Sequence, residues 1–400
     1  MNDIHVKENT NPYYIYALLV FVSVFFQSFF IDIGFAIKPF MIAAILIVSL
    51  NFKSYVIPRF LKYELCLVIF FSYYCLTGIF ATHKYQSLRL IALIVIVLFF
   101  YSVLRFLFYR LALNDVEKII RQSGLLFNIG SLLFFIMGAI QVNFNFVGNN
   151  YSSMGLLIDR GMPRLMGTTI DPNIFVLFNS LFFFYFLDRR HKVGTILTII
   201  TIVLTFSRGG FIAIGLPLLI SWIAFENKGK AKRLYGVVLI SLILPFIVNF
   251  LFKIDVWKII NARFLAVGDD RGSGRFEIWE NALRIFADHP LFGVGIYNFQ
   301  QYNLHYFSDF HYPHNTFLEV LVESGIVGLV LFLTLFLILL VKLYELQKAK
   351  PETHFLFLTL LSTLISMFTL STAVSEFLFL FFAVCFRYII ENEKRWNKNV

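Results

Sequence analysis

Two arginines and a histidine are the residues of this sequence best suited to chemistry. Arg208 lies in TFSRGGFIA, Arg275 in RFEIWENALRIF and His314 in HYPHNTFLEVLVESGIVG, each beside an apolar segment. A guanidinium group is always charged and offers planar donors to phosphate oxygens. A neutral imidazole can take up a proton near neutral pH. These residue types predict an anion site that also contains a base.

The composition is that of an integral membrane protein. Of the residues, 59% are hydrophobic and 14% charged, against about 25% charged in soluble domains. The net charge of +10 would suit nucleic acid, but the basic residues lie mostly in short loops between apolar segments. No basic face with stacking aromatic residues accompanies them. Nucleic acid is therefore excluded as a partner, and membrane lipid is expected.

The apolar segments predict an all-α polytopic membrane protein with about twelve transmembrane helices, since a span needs about 20 apolar residues. The candidate spans are 13–31, 37–51, 63–81, 86–104, 122–142, 172–187, 193–206, 209–225, 234–252, 325–342, 354–371 and 374–389. Most of the 34 Lys and Arg residues fall on one side of these spans, which the positive-inside rule makes cytoplasmic. Both termini are then cytoplasmic, and Arg208, Arg275 and His314 lie on the outer face.

Three parts follow from this pattern: a bundle of about nine spans at 1–252, an extracytoplasmic loop subdomain at 253–324, and the last helices with a cytoplasmic tail at 325–400. Within the subdomain a helix should begin at Ser273, a good N-cap, and end near Pro290. A second helix should begin near Pro313, since proline suits a first helical turn, and Gly325 should join it to the next span.

The apolar face of the first subdomain helix is expected to lie on the membrane surface or on the bundle. Its residues recur at helical spacing: Phe276, Trp279, Leu283 and Phe286.

Each candidate site residue also has a structural alternative. Arg208 could extend to lipid headgroups, Arg275 could belong to a solvated basic loop, and His314 could simply mark a helix start. Asp171 suits an N-cap, so Asp171 and Asn173 could merely end the outward loop 143–171.

Metal and cysteine chemistry have weak support. His305, His311 and His314 have a spacing outside the usual zinc patterns, and an aromatic interfacial loop explains them as well. The three cysteines, at 66, 75 and 385, lie in apolar spans without metal spacing or a disulfide framework.

Four segments together resemble a known family. RLMGTTIDPNIF, TFSRGGFIA, RFEIWENALRIFADHPLFGVGIYNF and HNTFLEVLVESGIVGLVLF occur in an order and spacing similar to the O-antigen ligase and polymerase superfamily of bacterial membrane glycosyltransferases. The resemblance covers the C-terminal two thirds, because the first 140 or so residues match only as hydrophobic spans. It implies a GT-C-like helical bundle with a periplasmic subdomain, in the bacterial inner membrane.

The resemblance also implies a reaction, the transfer of a glycan from an undecaprenyl-diphosphate carrier to a saccharide hydroxyl. His314 would be the general base, and Arg208 and Arg275 would bind the diphosphate and stabilise its developing charge. Weaker candidates for substrate contacts are Arg164, Arg271, Asn173 and Asn315. The expected chemistry is a single displacement with inversion, without metal or cofactor.

Three activities remain open at this point. A polymerase of lipid-linked repeat units is favoured, with other polysaccharide assembly proteins as possible partners. A ligase would move the finished polymer to lipid A-core or another acceptor. A transporter of lipid-linked oligosaccharides would share the span count, but it should place polar groups near the midplane of the bundle.

Overall fold

The computed structural model describes residues 11–58, 60–224 and 275–396, with the side chains described up to 393. The predicted span 234–252 and the first part of the subdomain lie outside these residues. Most of the described chain is helical. The helices are α1 (Pro12–Ser23), α2 (Pro39–Leu50), α3 (Glu64–Thr77), α4 (Lys84–Tyr109), α5 (Leu113–Gln141), α6 (Pro172–Asp188), α7 (Lys192–Leu204), α8 (Arg208–Ala224), α9 (Arg275–Asp288), α10 (Phe299–Phe307), α11 (Thr316–Ala349), α12 (His354–Ser366) and α13 (Glu376–Trp396).

Three of the described helices, α4, α5 and α11, are long and apolar enough to cross a membrane on their own. Six shorter helices, α1, α2, α3, α6, α7 and α8, are also apolar. Large aliphatic side chains such as Leu19, Val95 and Leu133 are more than half exposed, as expected of a surface that faces lipid. These features make the chain a membrane protein, and the number of about twelve spans stays a prediction.

Two helices, α6 and α13, form the centre of the bundle. Every described side chain of Phe377–Ile389 and nearly all of α6 are buried, which agrees with sequences that are apolar on all sides, FVLFNSLFFFYF and FLFLFFAVCF. Helix α6 packs against α5, α7, α8 and α12, while α13 packs against α4, α5 and α11. The helix starts of α6 and α8 are therefore fixed by a rigid core.

The loop between α5 and α6 contains a small sheet, which the prediction of an all-α fold did not include, although the described chain is mostly helical as predicted. Residues 151–165 form an antiparallel sheet of β3 (Tyr151–Ser153), β4 (Leu156–Asp159) and β5 (Met162–Leu165). Its two turns are two residues long, at Met154–Gly155 and Arg160–Gly161, with positive φ at every position, as in type I′ turns. These hairpins were not predicted, because the turns contain no Asn-Gly or Asp-Gly pair.

A second small hairpin lies between the first two predicted spans, and the first helix is shorter than predicted. Strands β1 (Ile31–Asp32) and β2 (Ala36–Ile37) pair, and α1 ends at Ser23 instead of continuing to residue 31. The chain leaves the helix because Thr168 Oγ1 donates to Phe25 O (2.6 Å), and Ser28 N–H donates to Thr168 O (3.0 Å). These bonds join the end of α1 to the loop before α6.

The bundle also buries polar groups that the sequence argument missed. Asn128, Asn179 and Thr201, on α5, α6 and α7, are fully buried and hydrogen-bond to one another at 2.6–3.0 Å. Arg105 forms a buried ion pair with Glu64 at 2.7 Å. Because each group is satisfied by the others, these contacts join helices in the way polar residues do within membranes.

Helix α11 contains the predicted break at Gly325. This residue has φ 66° and ψ −172°, a region that only glycine occupies readily. The backbone of 293–295 fills the gap, since Val294 N–H donates to Val322 O and Gly295 N–H to Glu323 O at 2.9 and 3.0 Å. The prediction that Gly325 joins a short helix to a span is confirmed.

The helix predicted from Ser273 is present as α9, although Ser273 itself lies outside the described residues. Its buried residues include Ile278, Ala282 and Ile285, whereas Phe276 and Leu283 of the predicted face are 58% and 51% exposed. The prediction that the face packs on the bundle is therefore wrong for these two residues. Contact with the membrane surface, the other alternative, stays a prediction. Helix α9 is apolar on two sides, and the smaller aliphatic residues form its contact with the core.

Candidate functional site

Three helix N-termini converge at one end of the bundle, which we call the site end. Ser207, directly before α8, donates from Oγ to Asn173 Oδ1 on the first turn of α6 at 2.5 Å. The segment after α12 joins α8 to α11. A Cβ on Gly209 would lie 3.1 Å from Thr369 Oγ1, and Thr316 N–H donates to Met367 O at 2.8 Å.

Each of these helix starts is capped by a side chain. Asp171 caps α6, Ser207 caps α8 and Asn315 caps α11, each accepting from backbone N–H groups two or three residues later at 2.7–3.3 Å. The positive ends of three helix dipoles therefore point to the same region, and helix N-termini favour anions.

The charged candidates stand at or next to helix starts: those of α8 and α11, and that of a fourth helix, α9. Arg208 and Arg275 are the first residues of α8 and α9, and His314 directly precedes the cap of α11. Burial lowers the pKa of Arg275, the carboxylate of Asp171 raises it, and the charge of Arg208 lowers it. Asp171 and Arg208 are therefore both close enough to act on Arg275 electrostatically.

His314 belongs to the same group. Its pKa is lowered, first by the surrounding protein and next by the charge of Arg275, while Asp171 acts in the opposite direction. Part of the side chain remains exposed, so a ligand could reach the ring. The backbone of His314 has φ 48°, an uncommon conformation for a residue with a side chain. The neutral form of this accessible imidazole is therefore favoured, beside the guanidinium group of Arg275.

A hydrogen bond explains how α9 brings Arg275 to His314. Trp279 Nε1 donates to Pro313 O at 2.8 Å, directly before His314. Trp279 follows Arg275 by four residues, and residues four apart lie on the same side of a helix. The indole therefore holds the loop 311–315 against the side of α9 that carries Arg275.

Arg164 binds other parts of the protein, whereas its charge had suggested a contact with substrate. Its side chain is 10% exposed, pairs with Asp159 Oδ2 at 3.0 Å, and donates from Nε to Thr205 O at 2.9 Å. Arg164 thus ties β4 and β5 to the turn before Ser207 and Arg208. The predicted substrate contact would have to form in addition to these bonds.

The remaining predicted substrate contacts were Asn173, Asn315 and Arg271. The side-chain oxygens of Asn173 and Asn315 are engaged in helix starts, which is the structural alternative that the sequence left open. Arg271 lies outside the described residues. The sequence analysis did not identify Ser207 as a cap, although serine is a preferred residue directly before a helix.

Among the described residues, no three His, Cys, Asp or Glu side chains lie close enough together to hold a metal ion. His311 instead pairs with Asp309, and this contact lowers the pKa of Asp309, against the effect of its burial.

The fold and the site define a helical membrane protein with a group of cations at converging helix starts. A family model described as O-antigen ligase matches residues 193–333, from α7 into α11, and so includes Arg208, Arg275 and His314. This match confirms the predicted resemblance to the O-antigen ligase and polymerase superfamily over this segment.

A curated protein of Haemophilus influenzae is 28% identical to this chain over 195 residues. The similar region covers 42% of this chain and 47% of the relative, which is described only as an uncharacterized protein. The chain thus matches about half the length of this relative, and the likeness assigns no activity.

Proposed function

We propose that this protein transfers a glycan from an undecaprenyl-diphosphate carrier to a saccharide hydroxyl, at the outer face of the bacterial inner membrane. The observation that supports it is the meeting of Arg208, Arg275 and His314 at converging helix starts. Cations and helix dipoles suit a diphosphate, and a neutral imidazole suits the removal of a hydroxyl proton.

The proposed reaction needs only this set of groups. The acceptor oxygen attacks the anomeric carbon as the bond from that carbon to the diphosphate oxygen breaks, and His314 accepts the hydroxyl proton. Arg208 and Arg275 stabilise the negative charge that develops on the leaving diphosphate. The displacement inverts the anomeric configuration, and it requires neither a metal ion nor a cofactor.

Polymerisation of repeat units is the activity that we propose. The test uses purified protein in lipid vesicles with lipid-linked repeat units, and the products are separated by length. Longer glycans on the lipid carrier support the proposal, whereas unchanged repeat units contradict it. His314→Ala should abolish chain growth; full activity in this variant would show that His314 is not the base.

A ligase is the second candidate, because the matching family is described as O-antigen ligase. The same vesicles, supplied with a lipid A-core acceptor and preformed polymer on the carrier, distinguish the two activities. Glycan that moves to the new acceptor, without chain growth on the carrier, would replace the polymerase assignment.

A further inference from the structure

Glu323 is a fully buried carboxylate that the proposed chemistry does not use. It accepts hydrogen bonds from Tyr74 Oη at 2.5 Å and Tyr312 Oη at 2.8 Å, one on each oxygen. The backbone N–H groups of Tyr297 and Phe299 bond to it as well. All four partners are donors, so both oxygens act as acceptors, as in an ionised carboxylate.

The four donors come from separate parts of the chain. Tyr74 lies on α3 and Tyr312 in the loop before α11. Tyr297 precedes α10, and Phe299 is the first residue of α10. Glu323 is thus the point at which the bundle, the start of α10 and the loop 311–315 are joined. Burial raises the pKa of Glu323, while these four donors act in the opposite direction and favour its charged form. An unmade hydrogen bond at a buried group is costly, so these contacts restrain the loop more than ordinary packing would.

The link through Tyr312 leads directly to His314. Tyr312 and His314 are two residues apart, and Pro313 between them restricts the backbone. On the other side, Trp279 holds Pro313 O. The loop is therefore held from α9 at one point and from Glu323 at another, and both contacts are within two residues of the imidazole.

We propose that Glu323 is a positioning residue for His314: through Tyr312 it holds the loop 311–315 so that the imidazole stays beside Arg275 and Asp171. The catalytic part of this inference depends on the proposed function, while the positioning itself is a statement about the loop. A misplacement of about 1 Å can cost a factor of about 100 in rate, so a restraint of this kind matters for a base.

The first experiment measures the surroundings of His314 in the loop and does not depend on glycosyl transfer. The reaction of His314 with diethyl pyrocarbonate is followed by mass spectrometry over a range of pH, in wild type, Tyr312→Phe and Glu323→Gln. Tyr73→Phe is the matched control, because Tyr73 Oη donates to Ser324 O at 2.9 Å on the same helix and does not touch Glu323.

In wild type and Tyr73→Phe we expect the same lowered pKa of His314. In Tyr312→Phe and Glu323→Gln the imidazole should move away from its neighbours, so its pKa should return towards the ordinary value. The same profile in Tyr312→Phe as in wild type would overturn the proposal, even if Glu323→Gln failed to fold.

The second experiment measures transfer in the vesicle assay. Tyr312→Phe should lower kcat about 10-fold or more while KM for the lipid-linked donor and the thermal unfolding temperature match those of Tyr73→Phe. Unaltered kcat would refute the positioning role. If wild type itself transfers no glycan but the His314 profile shifts in Tyr312→Phe, the proposed function fails and the positioning of the loop stands.

Discussion

At the scale of single residues, the site is organised by charges of opposite sign around one imidazole. Arg275 disfavours a proton on His314, and Asp171 favours one. Because the surrounding protein acts in the same direction as Arg275, the neutral form prevails to a lower pH than in an ordinary histidine. A base that is already neutral can accept the acceptor proton without first losing its own.

Substitutions of the two neighbours should shift the pKa of His314 in opposite directions. Arg275→Gln removes a positive charge and should raise this pKa, whereas Asp171→Asn removes a negative charge, retains a cap, and should lower it. Activity requires neutral His314 and is lost as pH falls through its pKa. The acidic limit of activity should therefore move to higher pH in Arg275→Gln and to lower pH in Asp171→Asn.

The pH profile of kcat, or the diethyl pyrocarbonate profile of His314 where transfer is too slow, measures both shifts. Arg275→Lys retains the charge and is the control for the loss of the guanidinium group. A pKa that moves in the same direction in Arg275→Gln and Asp171→Asn would contradict the charge arrangement.

At the scale of elements, helix starts and one helix break determine where the site residues lie. The caps Asp171, Ser207 and Asn315 begin the three helices within one region, and the segment 367–370 connects two of them. Asn315 is the instructive case, since the sequence assigned it a substrate contact and the structure shows a cap.

Substitution of Asn315 should separate these two roles. Asn315→Ala should lower the free energy of unfolding by about 0.5–2 kcal/mol because a cap is lost, whereas Asn315→Ser should restore the cap and the stability. Thermal unfolding in detergent and the vesicle assay measure the two effects. Stability restored without activity in Asn315→Ser would show that the amide contacts substrate.

The break in α11 should not tolerate a side chain at Gly325. A Cβ there would overlap the carbonyl group of Leu291, and the backbone conformation is strained for alanine. Gly325→Ala should therefore yield little folded protein in detergent extracts. Gly130→Ala on α5 is the control, since a Cβ at Gly130 meets no atom within 4 Å and alanine favours a helix by about 1 kcal/mol.

At the scale of the whole molecule, the positions of the charged residues give the bundle two unlike ends. Arg208, Arg275 and His314 lie at the site end, whereas Arg189 after the end of α6 and Arg387 in the second half of α13 lie at the other. The positive-inside rule assigns the second end to the cytoplasm.

Labelling of single cysteines should reveal this orientation. In a variant without Cys66, Cys75 and Cys385, an impermeant maleimide should label Ser308→Cys in spheroplasts, because this exposed residue follows α10 at the site end. Asn114→Cys, exposed at the start of α5, should react only after the membrane is permeabilised. The opposite pattern would exclude an outward-facing site.

Much of this arrangement could be predicted from the sequence, and the failures have physical causes. The subdomain helix and the break at Gly325 follow from local patterns of period and glycine. The role of Glu323 could not be predicted, because its partner Tyr74 is 249 residues away in sequence. For α9 the sequence left open whether Phe276 and Leu283 face the membrane surface or the bundle, because two apolar rows occur on one helix.

The braced break in α11 has a mechanical consequence. Backbone bonds hold both sides of Gly325, from Ile326 N–H to Pro290 O and from Val294 N–H to Val322 O, each at 2.9 Å. The bend angle is therefore fixed. When bilayer thickness changes, helices respond by tilting, and here the rod of 326–349 would carry the bend with it instead of flexing there. Turnover should accordingly vary little between vesicles of short-chain and long-chain lipids.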